Sequence, residues 1–102
     1  MSLRAEFERR LLAWPGVSLR PSRFGGEVGF WVGEREFAHF HAGNEVDLRL
    51  TRAVVRRLRG ELRADPRVEI SSGGDWVAVR FPRSKSFERA LELAWQAYAA
   101  HR

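Results

Sequence analysis

Residues 27–50 place three short segments of alternating apolar and polar character one behind another, separated only by Gly33-Glu34 and a turn around Gly43-Asn44. Links this short cannot carry a crossover helix, so consecutive strands must run antiparallel. Strands are expected at about residues 27–32, 35–41 and 45–50. Two more, at 68–70 and 76–81, flank a turn over residues 71–75.

Three helices complete the pattern. Ser2 can cap a first helix in which Leu3, Phe7, Leu11 and Trp14 recur at helical spacing, and Pro15-Gly16 stops it. Thr51 caps a second with Val54, Val55, Leu58 and Leu62 on one side, ending at Asp65-Pro66. Ser84 or Ser86 opens a third, striped by Phe87, Leu91, Ala94 and Tyr98. With 102 residues there is chain for one core and one domain, residues 1–102. The expected fold class is α+β: a two-layer sandwich in the order α-βββ-α-ββ-α, with the helices on one face of an antiparallel sheet.

Composition narrows the function classes. No cysteine means no disulfide, no thiolate nucleophile and no cysteine-ligated zinc. No apolar run reaches the roughly 18 residues of a membrane span, and the first residues lack a signal-peptide core, so a cytoplasmic protein without membrane partners is expected. The net charge of +5 invites a nucleic-acid reading, but Lys85 is the only lysine. So arginine-rich a composition points partly to a GC-rich genome.

Hairpin parity assigns the sheet faces. A two-residue turn at Gly33-Glu34 pairs Val32 with Arg35, and paired residues share a face. Continued along regular strands, this collects Val28, Phe30, Phe37, His39, His41, Val46 and Leu48 under the helices. Trp31, Glu36, Phe40, Asp47 and Arg49 fall on the opposite face, joined by Trp76 and Arg80. On this reading His39 and His41, candidate catalytic residues, sit beside the core. Two histidines fall short of the three or four ligands of a metal site, with Glu36 and Asp47 turned away and His101 in a fraying terminus. No metal and no cofactor is therefore expected.

The opposite face carries the other candidates. Trp31, Glu36, Phe40, Asp47, Arg49, Trp76 and Arg80 form an aromatic platform, read first as a homodimer interface. A flat organic ligand stacked on the same platform is the second reading; coverage by loops or by residues 17–19 is the plain alternative. Arg52, Arg56, Arg59 and Arg63 lie in one stripe on the second helix and are candidate anion ligands, so nucleic acid is a minority partner. No phosphate-binding glycine loop, nucleophile elbow or nucleic-acid motif appears. The leading reading is a homodimeric binding domain.

The order Glu36-x-x-His39-x-His41, Val46-Asp47-Leu48, Asp75-Trp76-Val77 and Tyr98 resembles the small bacterial proteins of the luciferase-domain family. The resemblance spans about residues 14–98. It implies oxygen-dependent oxidation of a small organic molecule, with His39 and His41 as the residues that would act. Three departures from the family pattern stand out. Ala38 and Asp75 stand where glycines are usual, and Val68-Glu69-Ile70 stands where further histidines are common. The layout of elements is also similar to YjbR-type proteins and type III secretion chaperones, which supports the architecture and says little about chemistry.

Overall fold

The first two helix caps act where the sequence places them, whereas Ser84 and Ser86, expected to open the third helix, lie inside it and cap nothing. The computed structural model describes residues 2–102. The Ser2 hydroxyl accepts the Ala5 N–H at 3.0 Å and opens α1 (Leu3–Leu12). The Thr51 hydroxyl accepts the Val54 N–H and opens α2 (Arg52–Ala64). The last helix, α3 (Ser84–His101), has no side-chain cap.

The strands are β1 (Val17–Pro21), β2 (Val28–Val32), β3 (Arg35–Phe40), β4 (Glu45–Arg49), β5 (Val68–Ile70) and β6 (Trp76–Arg80). They form one antiparallel six-stranded sheet in the order β1-β2-β3-β4-β6-β5. Residues 17–21, of which the sequence suggests 17–19 only as a cover of the sheet face, thus form an edge strand along β2. A single apolar cluster joins all three helices to Phe30, Phe37, Val46, Leu48, Val77 and Val79. This is the expected α+β sandwich with one covered face.

Parity holds at the first turn and then fails. Val32 pairs with Arg35 and Trp31 with Glu36, as a two-residue turn requires. One residue further, Phe30 pairs with Ala38 and Gly29 with His39. Phe37 is the extra residue of a β-bulge, and a bulge sends two successive side chains to one side. Phe37 and Ala38 are both fully buried, and the Phe37 ring lies 5.7 Å from that of Tyr98 in α3.

Within β3, the residues after the bulge change face, while β4 keeps Val46 and Leu48 on the helix side. Phe40, expected outside, packs on Phe7 of α1 at 5.9 Å and on Phe30 at 5.6 Å. Phe7 in turn stacks on Phe81 at 4.9 Å, and such contacts add about 0.5–1.5 kcal/mol each beyond burial. The β3–β4 register agrees: Ala38 faces Leu48, His39 faces Asp47 and Phe40 faces Val46. His39 and His41 therefore do not lie on the helix side, which corrects the regular-strand reading.

Phe37 is the residue whose burial justifies the bulge. Truncating Phe37→Ala is expected to cost about 3–5 kcal/mol in denaturant unfolding, the usual range for a core phenylalanine. A loss below about 1 kcal/mol would show that the bulge has another cause.

Candidate functional site

With the bulge in place, Glu36, His39 and Asp47 share the face away from the helices. Glu36 is 1% exposed and accepts from the Ser22 hydroxyl and the Arg23 N–H, each at 2.6 Å. Gly29 lies across from this carboxylate, and a Cβ at position 29 would collide with it. Glycine is needed there for space alone. Gly29→Ala is therefore expected to destabilise the fold by about 1–3 kcal/mol, as overpacking does. An unchanged unfolding midpoint would contradict the packing of Glu36.

His39 sits between two carboxylates. Its Nε2 is 3.0 Å from Asp47 Oδ2, and its Nδ1 is 3.3 Å from Glu36 Oε2. The second approach lies off the hydrogen-bond direction, leaving Nδ1 without a well-formed partner. The ring also packs on Trp76, with centroids 5.0 Å apart. Burial pushes the imidazole down, but Asp47, by hydrogen bond and charge, and then Glu36 outweigh burial and raise it above 6.5. Burial pushes Asp47 up; hydrogen bonds from His39 and His41 win and hold it below 3.8.

An ionised Asp47 can only accept. Its Oδ2 lies 3.0 Å from His39 Nε2 and 3.3 Å from His41 Nδ1, so both nitrogens carry hydrogen. In a neutral His41, hydrogen on Nδ1 leaves Nε2 as the acceptor. Its side chain is 59% exposed, whereas that of His39 is 8% exposed. The four groups form a chain, Glu36–His39–Asp47–His41, running from the interior to the surface. It ends at a cleft of about 350 Å³ walled by Phe24, His39, His41, Asp47, Ser71 and Trp76.

The loop of residues 22–27 roofs this region. Phe24 rests on Trp76 at 5.1 Å, with the Arg49 guanidinium over its ring at 4.7 Å. Gly25 lies close enough to His39 that a Cβ would stand 3.5 Å from Nε2. Trp31, Glu36 and His39 are thereby buried, and Arg20 covers the Trp31 ring at 4.3 Å. The open aromatic platform inferred for a dimer is mostly covered. Of its members, Trp76 and Asp47 reach the cleft, Arg49 flanks Phe24, and Arg80 is exposed and bonded to the Pro66 carbonyl. Phe40 is not on that face.

Asp47 and Glu36 share the His39 face, so the argument that these acids point away from the histidines fails. His41, Glu45 and Asp47 each offer one ligand atom, all within 4.8 Å of one another. Sequence reasoning missed Glu45 because it stands at a hairpin end, where regular alternation says nothing. His101 is also not frayed: it is buried and its Nδ1 donates to the Ala97 carbonyl at 2.8 Å. Burial lowers its pKa below 6.5, helped by nearby Arg49 and Arg35. Arg52, Arg56, Arg59 and Arg63 are exposed along α2, and Arg52 donates to the Gly73 carbonyl.

The site and fold define a small α+β domain with an acid–imidazole chain opening on a sheet-face cleft. A model of the Luciferase domain family matches residues 34–96, more than half of the chain. The chain belongs to the luciferase-domain family. The matched segment contains Glu36, His39, His41, Asp47 and Trp76, while the roofing loop precedes it. No curated protein and no solved structure matches. Glu69 also lines the cleft. Among the described residues no helix is long and apolar enough to cross a membrane.

The position of His39 gives stability a defined pH dependence. Its folded pKa is raised above 6.5, so its contribution is complete below that value and declines as pH rises through the folded one. Asp47 works in the opposite direction and contributes above 3.8, failing as pH falls through its lowered value. The stability gap between the native chain and His39→Gln should therefore narrow as pH rises from mildly acidic to alkaline. Chemical denaturation across that range measures it. A gap that widens with pH would contradict the flanking carboxylates.

Proposed function

We propose that this chain binds a small organic molecule in the sheet-face cleft and removes a proton from it with His41. Asp47 holds the Nδ1–H of His41, which leaves Nε2 as the proton acceptor, the division of labour of an acid–imidazole dyad. His39, backed by Glu36, positions Asp47 and forms part of the cleft wall; Glu36 lies behind it. Trp76 and Phe24 supply the apolar wall on which a flat molecule can lie. The proton leaves an acidic O–H or C–H, and the bond's electron pair stays on the molecule. Dioxygen, the oxidant that the family name implies, would then take electrons from the resulting anion.

The observation that carries this reading is the four-residue chain ending at the cleft. It favours a ligand-converting domain over a dimer built through the same face, because the dimer reading needs aromatic surface that residues 22–27 cover. Oxygen uptake with small phenols and enolisable diketones, catechol and acetylacetone among them, tests it. The native chain is expected to show saturable uptake with a member of such a panel. His41→Ala should lower the rate by about 10²–10⁴, the usual contribution of a general base. Asp47→Asn should lower it less. A His41→Ala rate equal to the native one would end the proposal.

A second reading is favoured by one geometric observation. An imidazole and two carboxylates at His41, Glu45 and Asp47 suit a divalent cation such as manganese, iron or zinc. Glu45→Gln and a chelator together separate the two. The substitution should abolish cation binding in metal titrations if the cation reading holds, whereas oxygen uptake by the native chain that persists in excess chelator favours His41 as a base.

A further inference from the structure

Phe24 is the wall of two clefts, and only one of them contains His41. The other, about 380 Å³, lies toward the end of α3 and is bordered by Arg23, Trp31, Arg35, Arg49 and His101. Among the described residues, no side chain of Arg23, Arg35 or Arg49 meets a carboxylate within 4.0 Å or donates a hydrogen bond. Most arginines of this chain lack an acid partner, Arg9, Arg20 and Arg89 being the exceptions among the described residues. What Arg23, Arg35 and Arg49 have in common is the cleft that all three border.

Three further features favour an anion there. The Trp31 indole N–H is buried and has no acceptor, a debt that a buried donor seldom carries without reason. Thr51, the N-cap of the thirteen-residue α2, also borders the cleft and brings the positive end of that helix to it. The two acids in the wall are already engaged. Glu36 is held by Ser22, Arg23 N–H and His39, and Glu34 faces Arg20 at 3.5 Å.

The geometry points to a second binding site, in which Arg23, Arg35 and Arg49 hold the carboxylate or phosphate group of a small organic anion. Guanidinium forks suit both oxyanions because two parallel N–H groups can meet two oxygens. The aromatic rings of Phe24 and Trp31 give the organic part apolar contact. This site does not depend on His41 being a base, and failure of that reading leaves it untouched.

Titrating the ¹⁵N-labelled chain with benzoate, phenyl phosphate and inorganic phosphate, in separate NMR series, tests it. Saturable movement of the Trp31 indole resonance with any of the three supports the site. Benzoate alone would assign it to carboxylates, and the phosphates alone would assign it to phosphoryl groups. Arg35→Gln and Arg49→Gln should each weaken binding by roughly tenfold or more, the usual effect of losing a charged hydrogen bond. Arg10→Gln, on the exposed side of α1, should leave affinity unchanged. The amide spectrum of each variant reports whether it is folded. No saturable shift with any probe, or equal weakening by Arg10→Gln, would overturn the proposal.

Discussion

The bulge at Phe37 is the constraint on which the site depends. Phe37 and Phe40 are both large apolar residues, three apart on one strand. A regular strand would send them to opposite faces, exposing one of them. Burying such a ring stabilises by about 1.5–3 kcal/mol, so the sheet gains by accommodating both. One extra residue does this: Phe37 reaches Tyr98 of α3, and Phe40 reaches Phe7 of α1. The same half-turn carries His39 across the sheet to Asp47. Core packing and site geometry thus have a single structural origin.

What the bulge delivers to the outer face would be costly on its own. A buried imidazole and a buried carboxylate each lose hydration, and each needs the other's charge and hydrogen bonds to offset the loss. Glu36 has two donors from the 22–27 loop, and His39 has a carboxylate on either side. The loop therefore does more than roof the cleft: its Ser22 hydroxyl and Arg23 N–H help keep Glu36 buried. Asp47, shared by His39 and His41, links this buried set to the ring at the surface. The loop that covers the cleft is thus also the loop that satisfies Glu36.

Much of the fold was legible in the residues, and the reason is locality. Ser2 and Thr51 announce their helices because a cap acts within three residues, and Gly33-Glu34 fixes the first hairpin pairs because a turn acts within two. Residues 34–96 carry enough of the family pattern to be recognised. The site was legible only as a set of names. Placing His39 and His41 required the bulge, and its signal was the odd spacing of Phe37 and Phe40, which alternation treats as noise. The burial of Trp31 and His101 is decided by distant partners, a loop in one case and the far end of the sheet in the other. Glu45 joins His41 and Asp47 through the geometry of a hairpin end.

Histidine side-chain nitrogen NMR tests the central claim, that the bulge sets an acid–imidazole chain with His41 at its end, most directly. Chemical shifts of Nδ1 and Nε2 report which nitrogen carries hydrogen. Wherever His41 is neutral the account predicts its Nδ1–H tautomer, and it predicts His39 protonated on both nitrogens to higher pH than a free imidazole. It also predicts that Asp47→Asn shifts both rings together. A His39 already neutral in mildly acidic solution, or an Asp47→Asn change that leaves either ring as it was, would contradict it.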